Sequence, residues 1–376
     1  MRLVAESGLW STGPVSEATP LAAVLEVSGA VLSWTLDEPG DPDDAATHIT
    51  FTDLPRAEWL WRILGESGHV ALASAVGSAD DPRSIDLAGV DILPGSVGPL
   101  RRLAVGHWLR RWWPASRQDG IADLDRALLD LEVALLTAGA QGFFADDTLD
   151  SDVTELLAPH AAALAAHAAD GDPRALDLVR AGADLADELG VDGPGWPELY
   201  AVLDDSGAVL TEPSGRRDDY ALAAGAGAGA RAVAPIARGV ASVNWGGVPP
   251  GIFDAGENTV EWTVEAGGTA VVRAAVIGPH APTGLAVRLR SGAISGTGAL
   301  DADGRATLPL VDGQQRPLTE SAAWDHDWSA TSVRVGAETT ESPETRERVR
   351  RWVRARLDRP PGDAFLAEIL AAESAY

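Results

Sequence analysis

The spacing of apolar residues changes twice along this chain, and that change limits the fold more than any single motif does. Up to about residue 96, apolar residues come in short alternating or continuous runs, Leu3 to Leu9, Val24 to Leu36 and His48 to Phe51, with the turn-forming stretch Pro39 to Ala46 between the last two. Such runs bounded by Gly, Pro and Asp predict short strands. A helix is expected to interrupt them from Pro55, with Trp59, Leu60, Ile63 and Leu64 at helical spacing and a stop at Gly65. From 97 to 239 the step becomes three and four. Ile121, Leu124, Leu128, Leu131 and Leu135 form one stripe, and Asp123, Asp125, Asp130 and Glu132 face elsewhere, the pattern of a helix packed in a bundle. Asp152, with Glu155 three residues on, and Asp172, before Pro173, are expected to cap two further helices, the second ending at Gly190.

After Gly239 the step becomes two. Val260, Trp262 and Val264 alternate with polar residues, and the runs at Val271 to Ile277, Leu285 to Leu289 and Leu308 to Leu310 follow at short intervals, with turns at 266–268 and 301–304. The chain then returns to helix. Val349, Trp352, Val353 and Leu357 lie on one face of a segment that ends at Pro360-Pro361, and a shorter one from Asp363 to Ser374 presents Phe365, Leu366, Ile369 and Leu370. The expected fold class is α+β: a mixed strand and helix region over 1–96, a helical bundle over 97–239, an antiparallel β-sandwich over 240–340 and an amphipathic helical tail over 341–376. Within the third region, Gly296 to Leu310, with Asp301-Ala302-Asp303-Gly304 leading into an apolar strand, resembles the immunoglobulin-like and prealbumin-like accessory domains of bacterial proteins. The resemblance implies a sandwich fold and attaches no activity to it. The Gly/Asp/Pro-bearing stretch from Gly190 to Arg217 reads as a linker.

Composition removes several function classes. There is no Cys, which excludes thiol nucleophiles, disulfides and cysteine-ligated metals, and all 29 basic residues are Arg. Without Lys there is no phosphate-cradling Walker lysine and no Schiff base, so ATP chemistry by the common routes is excluded. The net charge of −27 disfavours nucleic acid and anionic membranes and favours neutral or basic partners. The longest run without a charged residue, 15 residues from Gly239 to Phe253, is too short and too broken by Gly and Pro to span a bilayer. Glu6 interrupts any secretory leader at the start, so the expectation is a soluble cytoplasmic protein.

Few residues invite chemistry. In Trp324-Asp325-His326-Asp327-Trp328 a His lies between two carboxylates, which suits a general base or half of a metal site, although alternation in an extended segment turns His326 away from both acids. The competing reading is a polar turn between two packing Trp residues. His160 and His167 share a helix face but stand two turns apart, too far for one ion, and read as core-edge histidines with one hydrogen bond each. The acidic run Asp146 to Glu155 lacks the glycine and ligand spacing of a calcium loop, and the small-residue run Ala223 to Ala230 lacks the strand and acid that would make it a dinucleotide site.

Two clusters of Arg and Trp remain: Trp108, Arg110, Arg111, Trp112 and Trp113, and, on the tail, Val349, Arg350, Trp352 and Val353 with Phe365 and Ile369 beyond the prolines. In so acidic a chain these pair with the protein's own acidic surfaces or with those of another subunit, and Trp and Arg are the residues most enriched at interface hot spots. They are the interface candidates. The expected function is a non-catalytic adaptor or structural subunit of a larger bacterial assembly, working beside a separate ATPase, with protein partners, a homo-oligomer among the possibilities, and no cofactor. The alternative is a hydrolase with a site around Asp325, His326 and Asp327, metal-assisted or not.

Overall fold

A computed structural model describes residues 1–38, 45–77, 83–144, 149–206, 234–339 and 341–374. The chain divides into two compact units, one drawn from Met1–Arg111, Leu124–Leu210 and Glu344–Tyr376, the other from Trp112–Asp123 and Thr211–Pro343. It is α+β, with one antiparallel sheet in each unit.

The sheet of the first unit has six strands: β1 Arg2–Glu6, β2 Leu9–Thr12, β3 Ala22–Val27, β4 Ala30–Thr35, β5 His48–Phe51 and β6 Ser84–Asp86, in the order β3-β4-β5-β2-β1-β6. The run Leu3 to Leu9 is two strands, not one, because Ser7 and Gly8 both take left-handed φ (52° and 84°) and turn the chain back. Val24 to Leu36 is likewise a hairpin, turned at Ser28-Gly29. A Cβ at Gly29 would lie 2.2 Å from the Asp53 carbonyl, so only glycine fits there. Trp34 is wholly buried, and its indole N–H donates to Thr47 Oγ1 at 2.9 Å, so its one polar atom is satisfied in the core.

The helix expected to stop at Gly65 does stop there, where the backbone takes a left-handed φ of 72°. Two short turns of 3-10 helix, Leu54–Arg56 and Glu58–Leu60, lead into α1 Trp61–Gly77, which is two helical stretches broken at Gly65, whose φ of 72° and ψ of 164° are open to glycine and not helical. Next come α2 Gly98–Trp112, α3 Arg126–Gly139, α4 Leu149–Leu157, α5 Ala161–Asp170, α6 Pro173–Glu188 and α7 Trp196–Ser206. α3 starts five residues later than the apolar stripe suggests, because the Asp125 carboxylate accepts from Leu128 N–H and caps it, while Ile121 pairs with Ser116 in a short bridge of the second unit. Asp152 is not a cap: α4 begins at Leu149 and Asp152 lies inside its first turn. The Asp172 cap on α6 forms as its sequence implies, accepting from Arg174 N–H at 2.8 Å, and Gly190 follows the helix at φ 67°.

The second unit holds seven strands: β7 Ala237–Ala241, β8 Val260–Glu265, β9 Thr269–Ala274, β10 Ala286–Ser291, β11 Ile294–Ala299, β12 Arg305–Val311 and β13 Ser332–Val335, with the short helix α8 Glu320–Asp325 before the last. The expected sandwich of two facing sheets is not what forms. All seven strands join one sheet, β13-β10-β11-β12-β9-β8-β7, curled into a nearly closed barrel whose inner residues, among them Val260, Trp262, Val264, Val287 and Leu308, make the core. Period-two alternation is the same in a sandwich and in a barrel, so it could not separate them. Glycines supply the closeness: Cβ atoms at Gly296 and Gly298 would meet Leu310 and Leu308 at 2.8 and 2.6 Å, and one at Gly239 would meet the Trp262 ring at 2.5 Å. The 301–304 turn forms as read, with Asp301 Oδ1 accepting from the N–H groups of Asp303 and Arg305.

The chain returns to the first unit in α9 Pro343–Asp358 and α10 Leu366–Ser374. These two helices are tied in by charges as well as by packing. The Arg356 guanidinium donates to Glu368 through Nε (2.6 Å) and Nη2 (2.8 Å) and to Asp363 through Nη1 (3.1 Å), and Arg101 on α2 donates to the same Asp363. Glu132 on α3 accepts from Leu366 N–H and pairs with Arg102. Burial raises the Glu132 carboxyl pKa above its ordinary value despite those partners.

Candidate functional site

Among the described residues the sheet of the first unit has two edge strands, β3 and the three-residue β6, and β3 is the longer. β3 ends the six-stranded sheet, and among the described residues it pairs only with β4. A two-residue turn makes Val27 and Ala30 a mutually hydrogen-bonded pair; counting back by twos, Ala23, Leu25 and Val27 give their backbone groups to β4. Val24 and Glu26 point theirs away from the sheet, and no other segment takes them up among the described residues. Their side chains are exposed, whereas Ala23, Leu25 and Val27 are buried.

This edge forms one wall of a groove of about 610 Å³ lined by Val24 to Gly29. Opposite it stand His107 of α2, Thr137 of α3, and Asp152 and Leu156 of α4, with Phe144 beside them, and Thr52, Asp53 and Arg56 complete the lining. The edge is anchored at both ends. Ser28 N–H donates to the Phe143 carbonyl at 2.9 Å, Trp59 Nε1 donates to the Ser28 carbonyl at 2.6 Å, and Trp108 Nε1 donates to the Pro20 carbonyl just before β3. Holding the strand in place beforehand lowers the ordering cost of anything that pairs with it.

Three carboxylates, Glu26, Asp53 and Asp152, face one guanidinium, Arg56, in the lining, and none of the four enters an ion pair among the described residues. The His107 imidazole adds no charge at neutral pH: burial, reinforced by the Arg110 guanidinium and opposed by Asp130 and Asp152, lowers its pKa to about 4. The arrangement offers backbone donors and acceptors and negative potential, and it contains no nucleophile paired with a base. A second hollow, of about 630 Å³ in the other unit, is lined by Glu261, Arg273, Asp303 and Arg305 beside Asp254. Asp254 itself is bound internally, by the Ser116 hydroxyl at 2.6 Å and by the N–H groups of Arg117 and Gly256.

The residues that the sequence singles out lie elsewhere. Asp325 ends α8, His326 follows it, and Asp327 caps a 3-10 turn at Trp328–Ala330, so the segment forms a polar turn. His326 Nε2 is 2.9 Å from Ser291 Oγ and its ring meets Trp328 edge-on at 4.7 Å. Ser291 has no exposed surface, so this Ser–His pair cannot be reached by a substrate carbonyl. The Ser329 N–H holds the Asp327 carboxyl below its usual pKa, and Asp325 and Asp327 are exposed. His326→Ala is expected to cost on the order of 1–2 kcal/mol in urea denaturation, because a buried hydroxyl loses its partner; an unchanged midpoint would show that the bond contributes nothing.

The Arg and Trp candidates are occupied within their own units. In the first, Trp108 is buried and meets Trp352 edge-on at 4.9 Å, Arg110 donates to Asp130 at 2.7 Å, and Arg356 lies over the Trp352 ring. Val349, Arg350, Val353 and Phe365 are buried and Ile369 partly so, which makes the tail a packed part of the unit instead of a free docking helix. In the second, Trp112 lies over Gly246 and Trp113 Nε1 donates to the Ala122 carbonyl, while Arg111 is half-buried in the first. His160 and His167 each hold one carboxylate, Asp130 at 3.0 Å and Asp125 at 2.8 Å, as core-edge histidines do.

None of the groove residues is marked by the sequence as functional. Glu26 interrupting the apolar run of β3 and Asp152 at the start of α4 are the only hints, and both are also ordinary surface acids. The run Ala223 to Ala230, the linker beyond Ser206 and Asp146-Asp147 lie outside the described residues. Among the described residues no three His, Asp or Glu side chains gather to hold a metal ion, and no helix is long and apolar enough to cross a membrane. No protein-family model, curated protein or solved structure matches this chain.

Proposed function

We propose that this chain is a non-catalytic interaction protein that accepts an extended segment of a partner as an added strand on β3. The observation that supports this reading is the anchored edge whose Val24 and Glu26 backbone groups face a ready-made groove. Natural sheets usually cover or blunt such edges, and an uncovered one is a template for pairing. At ~3.3 Å per residue, six residues of β3 offer about 20 Å of edge, enough for a partner segment of similar length. On this proposal the adaptor role expected from the sequence would act through β3. The test is selection of octapeptides from a displayed random library on the full chain, followed by hydrogen exchange. Bound peptides are expected to slow exchange at the Val24 and Glu26 amides and to lose binding when proline replaces every second residue in turn. Peptides that bind without protecting those two amides, or a library that yields no binder, would overturn the reading.

A further inference from the structure

We infer that the partner segment is basic, carrying Lys or Arg at alternating positions. The inference rests on strand addition to β3 and names the chemistry of what is added. A strand laid beside β3 alternates its side chains between the same two faces that β3 does, so every second residue lies on the exposed face with Val24 and Glu26. The others turn to the side where Leu25 and Val27 are buried. Glu26, Asp53 and Asp152 bring three negative charges to the lining against the single positive charge of Arg56, and no cation of the protein itself neutralises them among the described residues. His107 supplies none at neutral pH, and the net charge of −27 extends the same field beyond the groove. Acidic segments meet like charge on every approach; a segment alternating cationic and apolar residues meets opposite charge on one face.

Selected octapeptides decide the matter by their composition and their salt response. Binders are expected to be enriched in Lys or Arg at every second position. Replacing two such residues by Gln should weaken binding about tenfold at low ionic strength, and the difference should close in ~1 M salt. The triple variant Glu26→Gln, Asp53→Asn, Asp152→Asn removes carboxylates that hold no hydrogen bond among the described residues, so the fold should survive it. It should bind the basic and the Gln-substituted peptides within about twofold of each other. If selected peptides protect the Val24 and Glu26 amides yet show no basic enrichment, or if the triple variant keeps the tenfold preference, the charge inference fails while strand addition stands. If no selected peptide protects those amides, strand addition fails and takes this inference with it.

Discussion

Arg356→Met is expected to destabilise the first unit by about 3–5 kcal/mol, the cost of leaving a buried charge without its partner. Glu368 has no exposed surface, and its two oxygens accept the Arg356 Nε and Nη2 hydrogens and the Phe365 N–H. Removing the guanidinium leaves the carboxylate with one amide in a site that water does not reach. Asp363 also loses a donor, although Arg101 still holds it. Burial opposes the charged form of Arg356, but the Glu368 and Asp363 carboxylates outweigh it and raise its pKa, so the guanidinium stays charged. Glu368→Leu should fail for the mirror reason. The double variant Arg356→Met, Glu368→Leu orphans no charge and should be more stable than either single variant. Urea denaturation followed by the helical signal measures all four proteins, and a single-variant loss below about 1 kcal/mol would show that the pair is solvated in solution.

The second large effect is a pH dependence centred on His107. Its folded-state pKa of about 4 lies below the ordinary 6.5, so between those values the unfolded chain binds a proton that the folded chain does not. Stability therefore rises with pH across that window: it is fully present above about pH 6.5 and is lost as pH falls towards 4, by on the order of 3 kcal/mol in total. Carboxylates titrating below pH 5 add their own slope, so the readout is a difference. His107→Gln cannot take up the proton, and its stability should fall less than the wild type's between pH 6.5 and 4.5. Parallel curves for the two proteins would mean that His107 is hydrated and titrates normally.

Local chemistry was legible wherever a few neighbouring residues decide the outcome. Asp172-Pro173 caps α6, Gly190 follows its end, and Asp301 organises the turn before β12, because each needs only bonds between residues a few positions apart. Helical spacing alone marks His160 and His167 as core-edge residues, but it does not name their partners Asp130 and Asp125. Where the structure departs from the local pattern, a longer-range choice intervenes. Ile121 continues the stripe of α3 but pairs with Ser116 instead. The Arg350 and Trp352 face of the tail has the composition of an interface, yet Arg350 is buried and Trp352 meets Trp108 of α2 edge-on within the same unit.

The candidate groove was not legible at all. Nothing in the alternation of Ala23, Leu25 and Val27 distinguishes an edge strand from an inner one, and strand order is set by which hairpins dock side by side. Asp53, His107 and Asp152 come from three separate stretches, and only packing brings them to the same groove.

By itself the sequence determined the periods, and so the helical and extended segments, the glycine turns, the acidic field and the exclusion of cysteine and lysine chemistry. These depend on residue identity and short-range geometry. Tertiary structure alone decided that seven strands curl into one sheet, that the C-terminal helices pack into the first unit, and that β3 keeps an open edge. Each of those outcomes is a competition between distant segments for the same buried surface, and residues a few positions apart carry no record of which segment wins.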